Sequence, residues 1–232
     1  MADLKEIREI HEELLVKYNP VQLLKLKTKL LADDNHSTLQ FHYELLKNRS
    51  VDTVYFSVRM FFANTHNKQL VTDFLKTCFS TETDKIAKGD IIQILGHMRQ
   101  MDALILAEKN INDTSSEIRY KCIIVLGWMG TDKHFDILNE ILKKDLDPIN
   151  RGYAATAMRQ IWYNYPKTKH TIIKLLKNAL LIETEDVTLQ CIIVTVQDIL
   201  KKKLGLKESP HGEISGDVVV AKSNSLLALE KY

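Results

Sequence analysis

The residue types that most often carry out chemistry are present, but they are not arranged as a catalytic or metal site. The eight histidines are scattered, and no two of them form a His-Glu-x-x-His pair. The three cysteines, Cys78, Cys122 and Cys191, lie in apolar helical runs without metal-type spacing. Glycine-rich phosphate loops and a Gly-x-Ser-x-Gly elbow are absent from the sequence. These observations favour a non-enzymatic protein that needs no metal and no other cofactor.

Composition indicates a helical protein with a continuous core. Of the 232 residues, 45% are hydrophobic, whereas only eight are glycine and four are proline. Lys and Arg together number 32 against 30 Asp and Glu, so no strong overall field points to nucleic acid or to an anionic membrane. No signal-type stretch and no run approaching about 20 apolar residues is present. We therefore expect a cytoplasmic protein that does not act on a membrane.

Apolar residues recur at three- and four-residue intervals along most of the chain, which predicts successive amphipathic helices. Asn19-Pro20 and Asp147-Pro148 each combine a good N-cap with a proline suited to the first helical position. The predicted helices cover residues 3–18, 20–31, 37–47, 51–63, 67–79, 85–99, 101–111, 116–129, 131–144, 148–163, 167–179 and 185–203.

The same helical pattern occurs more than once from about residue 85 onward. A shift of 31 residues (127 minus 96) places Gly96 on Gly127 within matching aliphatic runs. A shift of 32 residues (151 minus 119) then places Arg119 on Arg151. Self-similarity at a period of 20 to 50 residues predicts a solenoid, in which each helix pair buries its apolar stripe against the next pair.

The segment from about 85 to 200 resembles HEAT repeats, whose second helix follows an acidic turn and carries an aliphatic-arginine pair. Here Asp113 precedes Ile118-Arg119, and Asp145 or Asp147 precedes Arg151. The resemblance implies an all-α fold, a right-handed α-α superhelix of stacked antiparallel helix pairs. We expect one solenoid over residues 1–204, with clear repeats at 85–203 and degenerate helical pairs at 1–84. Residues 205–232 would then be a polar loop and a C-terminal capping tail.

In such solenoids the arginine and the turn aspartate of neighbouring repeats often form a ladder along the stack. This is the first interpretation of Asp113, Arg119, Asp147 and Arg151. The alternative interpretation is a phosphate-binding stripe.

The resemblance also implies that the helices beginning near 86, 116, 149 and 186 line the concave side. Helical geometry then predicts which side chains face away from the core. Exposed Trp, Tyr and Arg are typical anchors of protein interfaces, although large rings also pack against adjacent helices. The predicted concave binding residues are Asp90, Gln93, His97, Tyr120, Lys121, Trp128, Tyr153, Thr156, Arg159 and Gln160.

The first functional hypothesis is a non-enzymatic module whose concave face binds another protein, as a scaffold, an adaptor or a toxin-neutralising immunity protein. The second is DNA binding, because HEAT-like solenoids include alkylpurine DNA glycosylases, which use a basic concave surface, tryptophans and a carboxylate. Trp128, Trp162, Arg151, Arg159 and Asp90 supply those residue types, but the net charge is weak for phosphate binding. HEAT-type lyases that attach a tetrapyrrole to a protein resemble this chain in fold alone.

The composition changes after Gly205, where polar residues and helix breakers predominate. Residues 218–221 are predicted to form a short extended segment, and 224–232 a last helix. Such a tail fits a cap over the end of the solenoid. The alternative is a detachable binding peptide.

Overall fold

The computed structural model describes residues 3–232, and the described chain is mainly helical. Two short 3-10 turns, Asp132–His134 and Pro166–Thr168, precede the ninth and eleventh α-helices. The all-α prediction is confirmed. The helices are α1 (Leu4–Val16), α2 (Pro20–Leu30), α3 (His36–Leu46), α4 (Asp52–Ala63), α5 (Lys68–Thr81), α6 (Lys85–His97), α7 (Met101–Asn110), α8 (Ser116–Met129), α9 (Phe135–Lys144), α10 (Pro148–Asn164), α11 (Lys169–Ile182), α12 (Asp186–Leu200) and α13 (Val218–Ala228).

The predicted cap-then-proline starts are confirmed in α2 and α10. The Asn19 side-chain oxygen accepts a hydrogen bond from the backbone N–H of Val21 at 2.9 Å. The Asp147 carboxylate accepts one from the N–H of Ile149 at the same distance. Each proline occupies the first turn, where its missing N–H leaves no helical hydrogen bond unmade. Local chemistry therefore determines where both helices begin.

The described chain forms two compact units, Met1–Ile105 and Leu106–Tyr232, and the boundary falls within α7. In the first unit the second helices of successive pairs pack in order, α2 on α4 and α4 on α6. In the second unit α8 packs on α10 and α10 on α12, while α9 packs on α10, and α11 packs on both α10 and α12. This is the stacking of helix pairs that the repeat pattern predicts. The predicted division into residues 1–204 and 205–232 stays a prediction.

The segment between α12 and α13 contains a small hairpin within the predicted polar loop. Strands β1 (Lys207–Glu208) and β2 (Ile214–Ser215) pair antiparallel, with Glu208 opposite Ile214. We call residues 207–215 the tail hairpin. Helix α12 ends at Leu200, three residues before the predicted end at 203, because Lys201 has a φ of 53° and leaves the right-handed helical region.

The prediction of an extended segment at 218–221 is wrong, because these residues form the first turn of α13. Asp217 caps the helix by accepting a hydrogen bond from the N–H of Val220 at 3.0 Å. Ala221, Ser225 and Leu229 follow at four-residue spacing and are fully buried. Helix α13 packs against α11 and α12. The cap and this burial outweigh the strand preference of three consecutive valines.

Two glycines allow the second helices of the Leu106–Tyr232 unit to approach closely. A Cβ atom at Gly127 of α8 would lie 2.2 Å from Oε1 of Gln160 and 3.0 Å from Cα of Ala157, both on α10. A Cβ atom at Gly152 of α10 would lie 3.0 Å from Sγ of Cys191 on α12. Gly127, one of the two glycines that the sequence repeat aligns, therefore marks a close contact between helices.

We predict that Gly127→Ala destabilises the protein by about 1 to 3 kcal/mol, because the added methyl group overpacks the contact with the α10 backbone. This cost exceeds the gain of about 1 kcal/mol in helix propensity. Urea unfolding measures the difference. Adding Gln160→Ala should recover only part of the loss, because the contact with Ala157 remains. An alanine variant more stable than the wild type would contradict the close-contact interpretation.

Candidate functional site

Three predicted site residues lie on α6 in the first unit, and two of them do not face solvent. Asp90 is fully buried and Gln93 is buried, whereas His97 is half-buried. The expectation that Asp90 and Gln93 are exposed is therefore wrong. Helix α6 is buried on most of its circumference because α4 and α5 both pack against it. A single-helix projection assigns one solvent face and misses this burial.

Asp90 takes part in a buried polar cluster with α4. Its carboxylate accepts a hydrogen bond from the Tyr55 hydroxyl at 2.6 Å and lies 3.4 Å from Nη1 of Arg59. The Arg59 guanidinium also lies 5.0 Å from the centre of the Phe56 ring. Sequence reasoning missed these partners, although Val58-Arg59 weakly repeats the aliphatic-arginine pair of the later repeats. The cluster holds α4 against α6, which is a structural role.

The second unit brings two predicted aromatic residues together across α8 and α10. The rings of Tyr120 and Tyr153 pack edge to face, with centroids 4.8 Å apart at an angle of 85°. Tyr153 remains 36% exposed and Tyr120 is half-buried. Trp128, the next-to-last residue of α8, is also half-buried. Of the ten predicted residues, Tyr153 is the most exposed.

Lys121 is buried, contrary to its predicted outward position. Its Nζ atom lies 5.4 Å from the centre of the Tyr120 ring, a distance suited to a cation–π contact. Helix α8 buries most of its residues from Ile118 to Gly127. The same error therefore recurs here: a helix packed on several sides has no broad solvent face.

Thr156, Arg159 and Gln160 of α10 are half-buried and already have partners within the second unit. The Thr156 hydroxyl lies 3.4 Å from the carbonyl oxygen of Gly152. The Gln160 side chain occupies the space beside Gly127. Arg159 donates from Nη1 to Asp198 of α12 and to Glu208 of the tail hairpin, each at 2.8 Å.

Arg159 stands in a cleft of about 340 Å³ between α10, α12 and the tail hairpin. Burial by itself would lower the pKa of Arg159, but the carboxylates of Glu208 and Asp198 outweigh that effect and raise it. The guanidinium is therefore a permanent cation. Sequence reasoning missed Asp198, Glu208 and the α12 wall, because residues about 40 to 50 positions away along the chain give no local signal. The cleft is lined by Tyr153, Thr156, Arg159, Val187, Gln190, Cys191, Val194, Glu208, Gly212 and Ile214.

The predicted arginine ladder is present, but its acidic partners differ from those expected. Arg119 donates from Nε and Nη2 to the two carboxylate oxygens of Asp145, both at 2.7 Å. Its Nη1 atom donates to the carbonyl oxygen of Asp113 at 2.9 Å. Asp113 therefore contributes its backbone, and Asp147 contributes an N-cap and accepts a hydrogen bond from the Ser116 hydroxyl.

The next step of the ladder repeats this geometry. Arg151 donates from Nε and Nη2 to the Glu183 carboxylate at 2.7 and 3.0 Å, and from Nη1 to the carbonyl oxygen of Asp145 at 2.9 Å. Each arginine thus joins its own acidic turn to the acidic turn of the following repeat. Burial by itself would raise the pKa of Glu183, but the hydrogen bonds from Arg151 and from two backbone N–H groups lower it below 4.5. The ladder therefore contains an ionised carboxylate.

The thiols offer no activated nucleophile. Burial raises the pKa of Cys78, Cys122 and Cys191 alike, so each stays protonated near neutral pH. Over residues 3–232, no three His, Cys, Asp or Glu side chains are grouped closely enough to hold a metal ion. In the same part of the chain, no helix is both long enough and apolar enough to cross a membrane.

Stacked helix pairs with bridging arginines define an α-solenoid of the HEAT type. Comparison with known families agrees, since residues 72–159 match a family model described as HEAT repeats. The match confirms the resemblance to HEAT repeats over this part of the chain. No curated protein matches it. HEAT repeats indicate a protein-interaction or scaffold type of repeat module.

We predict that Arg151→Gln lowers the free energy of unfolding at pH 7 by about 3 kcal/mol, because the Glu183 side chain is only 8% exposed and loses its partner. The pKa of Glu183 is depressed in the folded state, so its contribution is present above pH 4.5 and is lost as the pH falls through the folded value. The difference between variant and wild type should therefore shrink at pH 3. Urea unfolding at the two pH values measures it.

Lys174→Gln is the matched control, since it removes one exposed cation from α11. It should change stability little at either pH. A loss in Arg151→Gln that is the same at pH 7 and at pH 3 would contradict a stabilising ion pair.

Proposed function

We propose that this chain is a non-enzymatic protein-binding module whose partner docks on the second helices of the Leu106–Tyr232 unit. We call the surface formed by α8, α10 and α12 the docking face. The observation that carries the proposal is the packed pair Tyr120 and Tyr153, of which Tyr153 is 36% exposed beside the cleft of Arg159. Tyrosine, tryptophan and arginine are the residues that most often dominate binding energy.

Exposed aliphatic side chains lie next to these anchors. Ile149 is one helical turn before Tyr153 on α10 and is 49% exposed. Val187 lines the same cleft as Tyr153 and is 40% exposed. An apolar border around aromatic anchors and one cation suits a protein partner, because such a partner can bury the apolar area while its polar groups reach the arginine.

DNA binding would require arginines that can reach phosphate, but the candidate arginines are already paired with carboxylates. Arg151 is held by both oxygens of Glu183, and Arg159 is held by Asp198 and Glu208. Phosphate binding would require cations that are available to the backbone of the nucleic acid. We therefore favour the protein partner.

We predict that Tyr153→Ala weakens binding of the partner about 30-fold, corresponding to about 2 kcal/mol for an aromatic anchor. The partner is first recovered with the wild-type chain by affinity capture, with and without nuclease, and the dissociation constant is then measured by calorimetry. Combining Tyr153→Ala with Trp128→Ala should abolish capture. Each variant is included only after its melting temperature shows that it folds.

Tyr18→Ala is the matched control, because Tyr18 is a similarly exposed tyrosine in the turn between α1 and α2. It should leave binding unchanged. A partner that binds the folded double variant as tightly as the wild type would refute the docking face. Capture that is lost on nuclease treatment would instead support nucleic acid as the ligand.

A further inference from the structure

The cleft between α10 and α12 already holds a carboxylate that the chain itself supplies. Glu208 places one carboxylate oxygen 2.8 Å from Nη1 of Arg159 and the other 3.1 Å from Nη2. Asp198 binds Nη1 from α12 at 2.8 Å. The two-point contact with Glu208 is the planar fork geometry in which arginine recognises carboxylates. The Arg159 side chain is only 13% exposed, so its guanidinium is largely shielded from water.

The charges in the cleft show what would remain if Glu208 withdrew. Arg159 and Asp198 would stay as a neutral pair, and the Nη2 donor of Arg159 would lose the Glu208 oxygen that it now contacts. A shielded donor without an acceptor costs free energy. The site therefore favours a second carboxylate.

The backbone that carries Glu208 is anchored separately from its carboxylate. The side-chain oxygen of Gln197 accepts hydrogen bonds from the N–H groups of Leu204 and Leu206 at 2.9 and 3.2 Å. At the far end of the tail hairpin, the Ser209 N–H donates to the Glu213 carbonyl oxygen at 2.8 Å. Neither contact involves the Glu208 side chain. That side chain can consequently leave Arg159 by rotating into solvent while the hairpin remains folded.

Glu208, which occupies the cleft, also indicates which backbone conformation and which adjacent side chain of a ligand would fit there. Glu208 is presented from an extended strand, and its cross-strand neighbour Ile214 lines the same cleft. Val187 and Val194 of α12 supply the apolar wall. An extended chain that carries one carboxylate and one aliphatic side chain therefore matches the space.

We propose that the cleft binds an extended acidic segment of the partner protein, and that a carboxylate of this segment replaces Glu208 on Arg159. Glu208 is then an intramolecular competitor that occupies the cleft in the absence of the partner. This inference rests on the proposed function, since it names the partner chemistry that the docking face selects. A tethered competitor acts at a high effective concentration, so it weakens every ligand that needs the same fork.

The test measures binding of a fluorescein-labelled hexaglutamate peptide to the whole 232-residue chain by fluorescence anisotropy at low salt. Glu208→Gln should bind this peptide about tenfold more tightly than the wild type, because the charged competitor is gone and the cation remains. Glu213→Gln is the matched control, since it removes the same charge from the tail hairpin without touching Arg159. It should bind as the wild type does. Hexaglutamine should bind none of these chains.

The double variant Glu208→Gln with Arg159→Gln should lose the gain, because the fork that receives the carboxylate is absent. A gain that persists in the double variant, or that appears equally in Glu213→Gln, would overturn the proposal. The proposed function is judged separately by Tyr153→Ala. If Tyr153→Ala weakens partner binding but Glu208→Gln does not change the affinity for hexaglutamate, the docking face is supported and the proposal of an acidic ligand is wrong. If Glu208→Gln binds hexaglutamate more tightly as predicted but Tyr153→Ala leaves partner binding unchanged, the docking face is wrong.

Discussion

Every other feature of this protein depends on one constraint, which is that no helix pair can bury its apolar surface alone. In the Leu106–Tyr232 unit the second helices meet this constraint by packing in a row, α8 on α10 and α10 on α12. Gly127 and Gly152 lie where these helices approach each other closely. The row brings Tyr120 beside Tyr153 and forms the cleft of Arg159. The docking face is thus a consequence of the stacking that builds the core.

The arginine ladder adds register to this stacking. Apolar packing is non-directional, whereas the two-point contacts of Arg119 with Asp145 and of Arg151 with Glu183 accept one relative position of successive repeats. Both arginines also bind the backbone of their own acidic turn, so each links two turns. This arrangement explains why the arginine recurs in the sequence. If Arg119 and Arg151 bound phosphate instead, the carboxylates of Asp145 and Glu183 would lose their hydrogen-bond donors.

The sequence predicted most of the fold because its signals are local. Cap-then-proline pairs at Asn19 and Asp147, and a repeated helical pattern, were enough to predict the helices and their stacking. The exposure of the proposed site residues was predicted only in part: Tyr153 is exposed, but Asp90, Gln93 and Lys121 are buried. A helical projection counts one helix at a time and cannot include the neighbours that cover α6 and α8. Glu208 pairs with Arg159 from 49 positions away, so no local sequence pattern predicts this contact.

The tail illustrates why a cap and a binding element need not be alternatives. Helix α13 packs on α11 and α12, with Ala221, Ser225 and Leu229 fully buried, and this packing is compatible with the predicted cap. The tail hairpin lies over the adjacent cleft and is mainly exposed, and Glu208 reaches Arg159 from it. Because Gln197 anchors the root of this hairpin on α12, the Glu208 side chain can exchange without exposing the core. On these two proposals, one segment both covers α11 and α12 and regulates access to the docking face.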